Sequence, residues 1–179
     1  MVYSGNISGK YVSLRAVDTE DAAFILKLRL DKKMKQFIHD TPNDRSLQEK
    51  WIEAQRQRED DYYFLIQSKE GRPLGTISLY EINGASGELG RWVSCGNACE
   101  NLESALLLHD FAYEKMALEE VHTCTMIQNE KVKKFWTRFG FDHSETVELD
   151  GWTGCRKTVQ KGTYYQVIRP RLAALLYRV

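Results

Sequence analysis

The stretch ELGRWVS (residues 88–94), CGNACEN (95–101) and LESALLLHDFAYEKM (102–116) decides how this chain folds. The first piece reads as a short strand ending at Trp92 and Val93, and the second as a turn of small and polar residues. The third spaces Leu102, Ala105, Leu106, Phe111 and Ala112 along one helical face, with Asn101 as N-cap and the Glu103 carboxylate in the first turn. A strand that turns through small residues straight into a helix aims several unpaired N–H groups at one point, which makes an anion site.

Working outward, length and charge narrow the function classes. A chain of 179 residues suits one domain, and the reading is a single domain over 1–179. Lys plus Arg and Asp plus Glu number 25 each, so no global field draws the chain to nucleic acid or to a membrane. No apolar run reaches membrane-spanning length, and MVYSGNISGK lacks the apolar core of a signal peptide; a cytoplasmic location is expected. Cys95, Cys99, Cys124 and Cys155 form no disulfide framework, and no second ligand pair accompanies Cys95 and Cys99, so no metal site is expected.

Before the deciding stretch, Tyr11–Ala16 alternates as a strand, and Asp18 caps a helix running to Arg29. Residues 31–42 read as a loop or broken helix, and a second helix starts at Asp44 or Ser46. Tyr62–Ser68 and Leu74–Ile82 form a hairpin around Gly71 and Pro73, and Asn83–Gly84 turns the chain back toward Glu88. After the organising helix come a strand at Val121–Ile127, a helix at Asn129–Phe139 and a strand from Phe141 onward with Glu145–Leu149. Gly151–Gly162 reads as a basic loop, Thr163–Ile168 as a last strand, and Leu172–Tyr177 as a short apolar helix. The order is that of one mixed α/β domain.

With these residues in place, the chain resembles the GNAT superfamily of acyl-CoA-dependent N-acyltransferases from about Tyr11 to Ile168. The resemblance rests on Leu74–Gly75 opening a return strand, on the strand–turn–helix quoted above, and on NEKVKKFWTRFGF (residues 129–141). The GRWV and ESALLLHDFAYEK pattern is most similar to bacterial acetyltransferases of nucleotide-linked amino sugars. Ribosomal-protein alanine acetyltransferases share the layout.

The resemblance implies an α/β fold whose mostly antiparallel mixed sheet holds a splayed central strand pair, with helices on its flanks. It implies acetyl-CoA as co-substrate, its thioester arm along Trp92, Val93 and Ser94, and the N–H near Val93 polarising the acetyl carbonyl. The turn Asn97, Ala98, Cys99, Glu100, Asn101 and Leu102 would hold the pyrophosphate, and Asn129 would reach the cofactor. Cys99 and Asn101 replace family glycines, and Glu100 and Glu103 have to point away from a pyrophosphate. Trp136 stands where a tyrosine acid is usual, and indole cannot donate a proton at neutral pH.

Direct aminolysis needs a base to make the amine neutral. Glu88 and Glu81 are the candidate carboxylates, with Tyr80 and His122 behind them, and Arg29 and His39 are placed to meet an acceptor. For a nucleotide-linked amino sugar, Arg29 and Arg91 would pair with its phosphates. The expected function is acetyl transfer to a small primary amine, with a homodimer as the assembly considered. The alternatives are acetylation of a protein N-terminus and a non-catalytic acyl-CoA-binding role, prompted by the altered turn and the missing tyrosine.

Overall fold

The computed structural model describes residues 2–141, 143–149 and 151–177. Eight strands form one sheet: β1 (Ile7–Ser8), β2 (Val12–Ala16), β3 (Tyr62–Ser68), β4 (Pro73–Asn83), β5 (Ser86–Ser94), β6 (Glu120–Met126), β7 (His143–Leu149) and β8 (Trp152–Gln160). Their order across the sheet is β1-β2-β3-β4-β5-β6-β8-β7. Every neighbouring pair is antiparallel except β5 and β6, which run parallel.

Helices cover both faces, which is why β3 reads as a continuous apolar run rather than an alternation. Its Tyr63 and Leu65 pack with Ile25 of α1 (Ala22–Leu30) and Ile52 of α3 (Arg45–Arg56), whereas Tyr62, Phe64 and Ile66 face the larger core with α4 (Ala98–Asp110). The short α2 (Lys32–Lys35) breaks the segment after α1, as residues 31–42 imply. The α5 helix (Glu130–Phe139) adds Trp136 and Phe139 to the α4 side.

The α4 helix starts at Ala98, with Asn97 as its N-cap, not at the Asn101 cap expected from sequence. Asn97–Ala98–Cys99–Glu100 is a capping box: the Asn97 side chain accepts from the Glu100 N–H and the Glu100 carboxylate accepts from the Asn97 N–H. Asn101 has no acidic partner three residues on, so the register with two satisfied donors wins. Glu103 faces the interior, fully buried, and its carboxylate accepts from the N–H groups of Lys10, Tyr11 and Val12 and from the Tyr177 hydroxyl. One carboxylate thus ties the entry to β2 and the end of the chain to α4. Gly9 leaves room for it, because a Cβ there would overlap its carboxyl group.

The carboxy-terminal third departs most from the sequence expectation. Residues 152–160, read as a loop, are β8, paired with β6 on one side and β7 on the other. The strand expected from Phe141 includes Asp142, which lies outside the described residues; β7 begins at His143. Thr163–Ile168 is helical, not a strand: α6 (Lys161–Thr163) leads through a wide π-type turn (Tyr164–Ile168) into α7 (Arg169–Tyr177). The β-branched residues suggest a strand, but Tyr164, Ile168, Leu172 and Leu176 fall four residues apart and are all buried on one stripe. The wide turn just before Pro170 lets that stripe continue past a residue with no N–H to give.

Candidate active site

The sheet opens between its two parallel strands. β5 pairs with β6 only at Ser86↔Glu120, Gly87↔Val121 and Glu88↔His122. Beyond Glu88 the strands separate, although β5 continues to Ser94 and β6 to Met126. On its other side β5 stays paired with β4 through Thr76↔Val93 and Gly75↔Ser94. The register slips between Thr76 and Ser78, opposite Arg91, whose φ of +46° marks a bulge. A bulge bends its strand, and this one bends β5 away from β6 and leaves backbone N–H and C=O groups of residues 89–94 facing the gap without strand partners. Such groups call for another hydrogen-bonding backbone or amide.

A cleft of about 700 Å³ runs through the gap. One end is aromatic: Trp92 stacks edgewise on Phe135 at 4.8 Å and lies 5.2 Å from Trp136. Among the described residues, the indole N–H of Trp92 is buried without a partner, and so is the Thr123 hydroxyl across the cleft. Trp136 is closed in by Phe141 and His109, so its ring is a wall and offers no acid. Asn129 borders the same end and caps α5 through Val132 N–H at 3.3 Å, which uses its oxygen and leaves its amide N–H groups for a ligand.

Glu88 sits at the apex where the gap begins. Its Oε1 accepts from the Tyr80 hydroxyl at 2.6 Å, and its Oε2 lies 3.7 Å from His122 Nε2. Burial, followed by the charge of Glu88, pushes the Tyr80 phenol well above its ordinary range, so Tyr80 donates to Glu88 throughout the accessible pH range. Glu81 stands exposed at the cleft mouth, held at φ +50° by a second bulge. These placements separate the two carboxylates: Glu88 is anchored inside, Glu81 is solvated at the rim.

The other end of the cleft lies under α1 and α3. Arg91 is committed to Asp61 by two bonds of 2.5 and 3.0 Å and lies 4.0 Å over the Tyr80 ring. Asp61 holds this arginine and also meets Arg58 at 3.5 Å, so Arg91 is already engaged by a carboxylate at the place where a phosphate is expected to pair with it. Arg29 differs. Its guanidinium donates to Thr41 Oγ1 at 2.8 Å and to the His39 carbonyl at 3.3 Å, and no carboxylate pairs with it among the described residues. Burial and the nearby Arg91 lower its pKa from the usual arginine value, as befits a desolvated cation lacking a counter-ion. His39 contributes this carbonyl, while its exposed ring meets Trp152 edgewise at 6.3 Å.

The expected anion turn is partly filled by the chain itself. The Gly96 N–H donates to Ser94 Oγ, the Asn97 N–H to Glu100 and the Asn101 side chain to the Gly96 carbonyl. Ala98 and Cys99, exposed in the first turn of α4, retain N–H groups with no intrahelical acceptor, and Leu102 packs inward behind them. Glu103 points away as required; Glu100 does not, because its carboxylate closes the turn. The residues of the gap therefore fit an amide-bearing arm, and the turn fits its phosphates only with Glu100 displaced or neutralised.

Trp51, Leu149 and Trp152 also line the cleft and were not identified as site residues from sequence. Trp51 reads as part of an apolar helix face. Leu149 and Trp152 flank Asp150–Gly151, and that Asp-Gly pair between two extended runs is the hairpin signal that places them.

A sheet split between one parallel pair, with a carboxylate at the apex and the opened strand leading straight into a helix N-terminus, defines the class of GNAT-type acyltransferases. The chain belongs to that family: the acetyltransferase (GNAT) domain model matches residues 12–142. No curated protein matches. Among solved structures, the chain is similar to apo FdhC, a nucleotide-linked sugar GNAT, at 25% identity with a TM-score of 0.78, covering 99% of this chain and 98% of that one. A GCN5-related N-acetyltransferase from Brucella melitensis superposes with a TM-score of 0.83 at 15% identity, over 97% and 86% of the two chains. A spermidine N-acetyltransferase from Vibrio cholerae does so at 0.70 and 15%, over 88% and 98%.

Proposed function

We propose that this protein transfers the acetyl group of acetyl-CoA to the primary amine of a small anionic acceptor, a nucleotide-linked amino sugar. The observation that carries this reading is the opening of β5 from β6 with Glu88 at its apex. Acetyl-CoA would supply an acetyl group activated as a thioester. The free backbone edge of Trp92, Val93 and Ser94 would hold the pantetheine amides, and its N–H groups would polarise the acetyl carbonyl as negative charge grows there. Trp92 and Trp136 exclude water from the same end, and Asn129 and the turn from Asn97 to Leu102 would meet the remainder of the cofactor. Glu88 takes the proton of the attacking amine, with Tyr80 fixing its carboxylate and Glu81 at the entrance. Trp136 has no proton to give in place of the usual tyrosine, so the departing thiolate leaves unprotonated and takes its proton after CoA is released.

Arg29 supports the anionic acceptor. A half-buried cation that borders the cleft without a carboxylate is matched by a phosphate, and the likeness to a nucleotide-linked sugar enzyme agrees in chemistry. An amino-sugar amine also needs less help from a base than a lysine amine.

The test is thiol release from acetyl-CoA with a panel of amines: UDP-glucosamine, glucosamine 1-phosphate, glucosamine, spermidine and an alanine-terminated peptide. The phosphate-bearing sugars are expected to turn over, and Arg29→Ala to raise their KM by tenfold or more, at about 1.4 kcal/mol per tenfold, without changing the KM for acetyl-CoA. Preference for spermidine or the peptide, or no release with any amine, would refute this reading.

A further inference from the structure

Behind Glu88 lies a second, open cleft of about 870 Å³ on the far side of the β5–β6 contact. It reaches His122 from the side opposite the proposed acceptor. Between the clefts the polar groups stand in a row, within hydrogen-bonding distance from His122 outward and closing on Glu88 when the ring and the carboxylate approach each other. Glu88 Oε2 lies 3.7 Å from His122 Nε2, His122 Nδ1 lies 3.3 Å from Ser86 Oγ, and Ser86 Oγ donates to Glu120 Oε1 at 3.1 Å. Glu88 borders the inner cleft; Ser86 and Glu120 border the outer one. His122 contacts Glu88 on one side and Ser86 on the other, and the residue is 8% exposed.

The direction of each bond follows from the chemistry of the groups. Arg156 Nη2 lies 3.3 Å from His122 Nε2, and arginine can only donate. With Nε2 accepting from Arg156, the ring's own proton sits on Nδ1, aimed at Ser86. Ser86 in turn spends its own proton on Glu120. Every donor in the row points outward.

We infer that His122, Ser86 and Glu120 form a proton exit that clears Glu88 after it deprotonates the acceptor amine. This rests on the acetyltransferase reading above. The Glu88 O–H bond breaks as an N–H bond forms at His122 Nε2, with Arg156 Nη2 yielding its place. The Nδ1–H bond breaks as Ser86 Oγ gains that proton, and the original Ser86 proton passes to Glu120 Oε1. Glu120 then releases one proton to water in the outer cleft. The ring is left with its proton on Nε2 and returns to the resting form by exchange with the same water.

The charged groups around the ring suit this. Glu88 from β5 draws a proton toward Nε2, Arg156 from β8 opposes its residence there, and Glu120 from β6 itself receives it. Glu81 from β4 and His143 and Glu145 from β7 line the outer cleft, with Arg156 reaching toward Glu145 at 3.8 Å. A proton is thus attracted in and kept moving toward the outer cleft.

The test compares His122→Gln and Ser86→Ala with the unmodified protein, using whichever amine of the panel turns over, in dilute buffer. His122→Gln is expected to lower kcat about tenfold or more, leave the KM for acetyl-CoA unchanged and alter the pH profile of kcat. Added imidazole, admitted through the open outer cleft, is expected to restore the rate with saturation. Ser86→Ala should show the same pattern more weakly, and it carries the test if the Gln variant unfolds. An unchanged kcat and pH profile, or a loss that imidazole does not restore and that leaves the profile's shape intact, would overturn the relay. If the unmodified protein acetylates no amine, the acetyltransferase reading itself fails, which is a different outcome.

Discussion

At the scale of single residues, the site turns on how each charge is spent. Two arginines border the proposed acceptor end, yet Arg91 is held by Asp61, and of the two Arg29 is the one with no carboxylate partner among the described residues. Glu100 presents the opposite case, a negative charge closing the turn expected to receive a pyrophosphate. Like charges about 5 Å apart near a surface cost roughly 1 kcal/mol or more. Glu100→Gln keeps the acceptor for the Asn97 N–H and removes the charge, so CoA is expected to bind about fivefold tighter at low ionic strength, with the difference shrinking in salt. Calorimetric titration with CoA checks this; equal or weaker binding by the variant would mean that the carboxylate does not face the phosphates.

At the scale of elements, backbone conformation at strand and helix ends shapes the architecture. The bulges at Glu81 and Arg91 bend β4 and β5, and the second coincides with the opening of the sheet. The helical segment after α4 ends at Ala117, where the Leu118 N–H closes on the Ala112 carbonyl at 3.0 Å with Ala117 at φ +54°. That conformation costs a non-glycine residue about 1 kcal/mol. Ala117 is exposed, so Ala117→Gly is expected to raise Tm by about 2 °C, readable by differential scanning calorimetry. A lower Tm would show that the entropy glycine adds to the unfolded chain outweighs the relief.

The same scale shows where periodicity can be read and where it cannot. The strands from Tyr62 to Ser94 were legible because turn residues bound each of them, and α5 because its aromatics recur on one face. Residues 152–160 read as a loop because Arg156, Lys157 and Gln160 interrupt the apolar alternation. Pairing on both sides makes them a strand regardless. Residues 163–168 carry a strand's composition but a helix's spacing, and burial against α4 decided for spacing.

At the scale of the whole molecule, His109 joins α4 to the segments that cover it. It is fully buried, stacked between Phe139 and Tyr164, and its Nδ1 donates to the Ala105 carbonyl at 2.7 Å while Nε2 has no partner. Burial pulls its pKa from 6.5 down to about 4. Between those values the unfolded chain binds a proton that the folded chain refuses, so stability falls as pH drops from 6.5 toward 4. The slope approaches 1.4 kcal/mol per pH unit, roughly 3 kcal/mol over the window. Urea unfolding at pH 7 and pH 4.5 should therefore show a smaller acid loss for His109→Phe than for the unmodified protein. Equal losses would assign the acid sensitivity to other groups.

The amino-acid sequence alone determined the α/β class, the order of the main elements from β2 through α5 and the strand–turn–helix at the centre, because these depend on local periodicity, capping and turn residues. A resemblance carried on 129–141 and on the Trp92 strand pointed to the family. Only the tertiary structure decided which carboxylate stands at the apex, which arginine keeps an unmatched charge, and that His122 backs Glu88. Those are facts about separate strands and helices brought side by side, and a side chain's partner across a sheet leaves no mark in its neighbours along the chain.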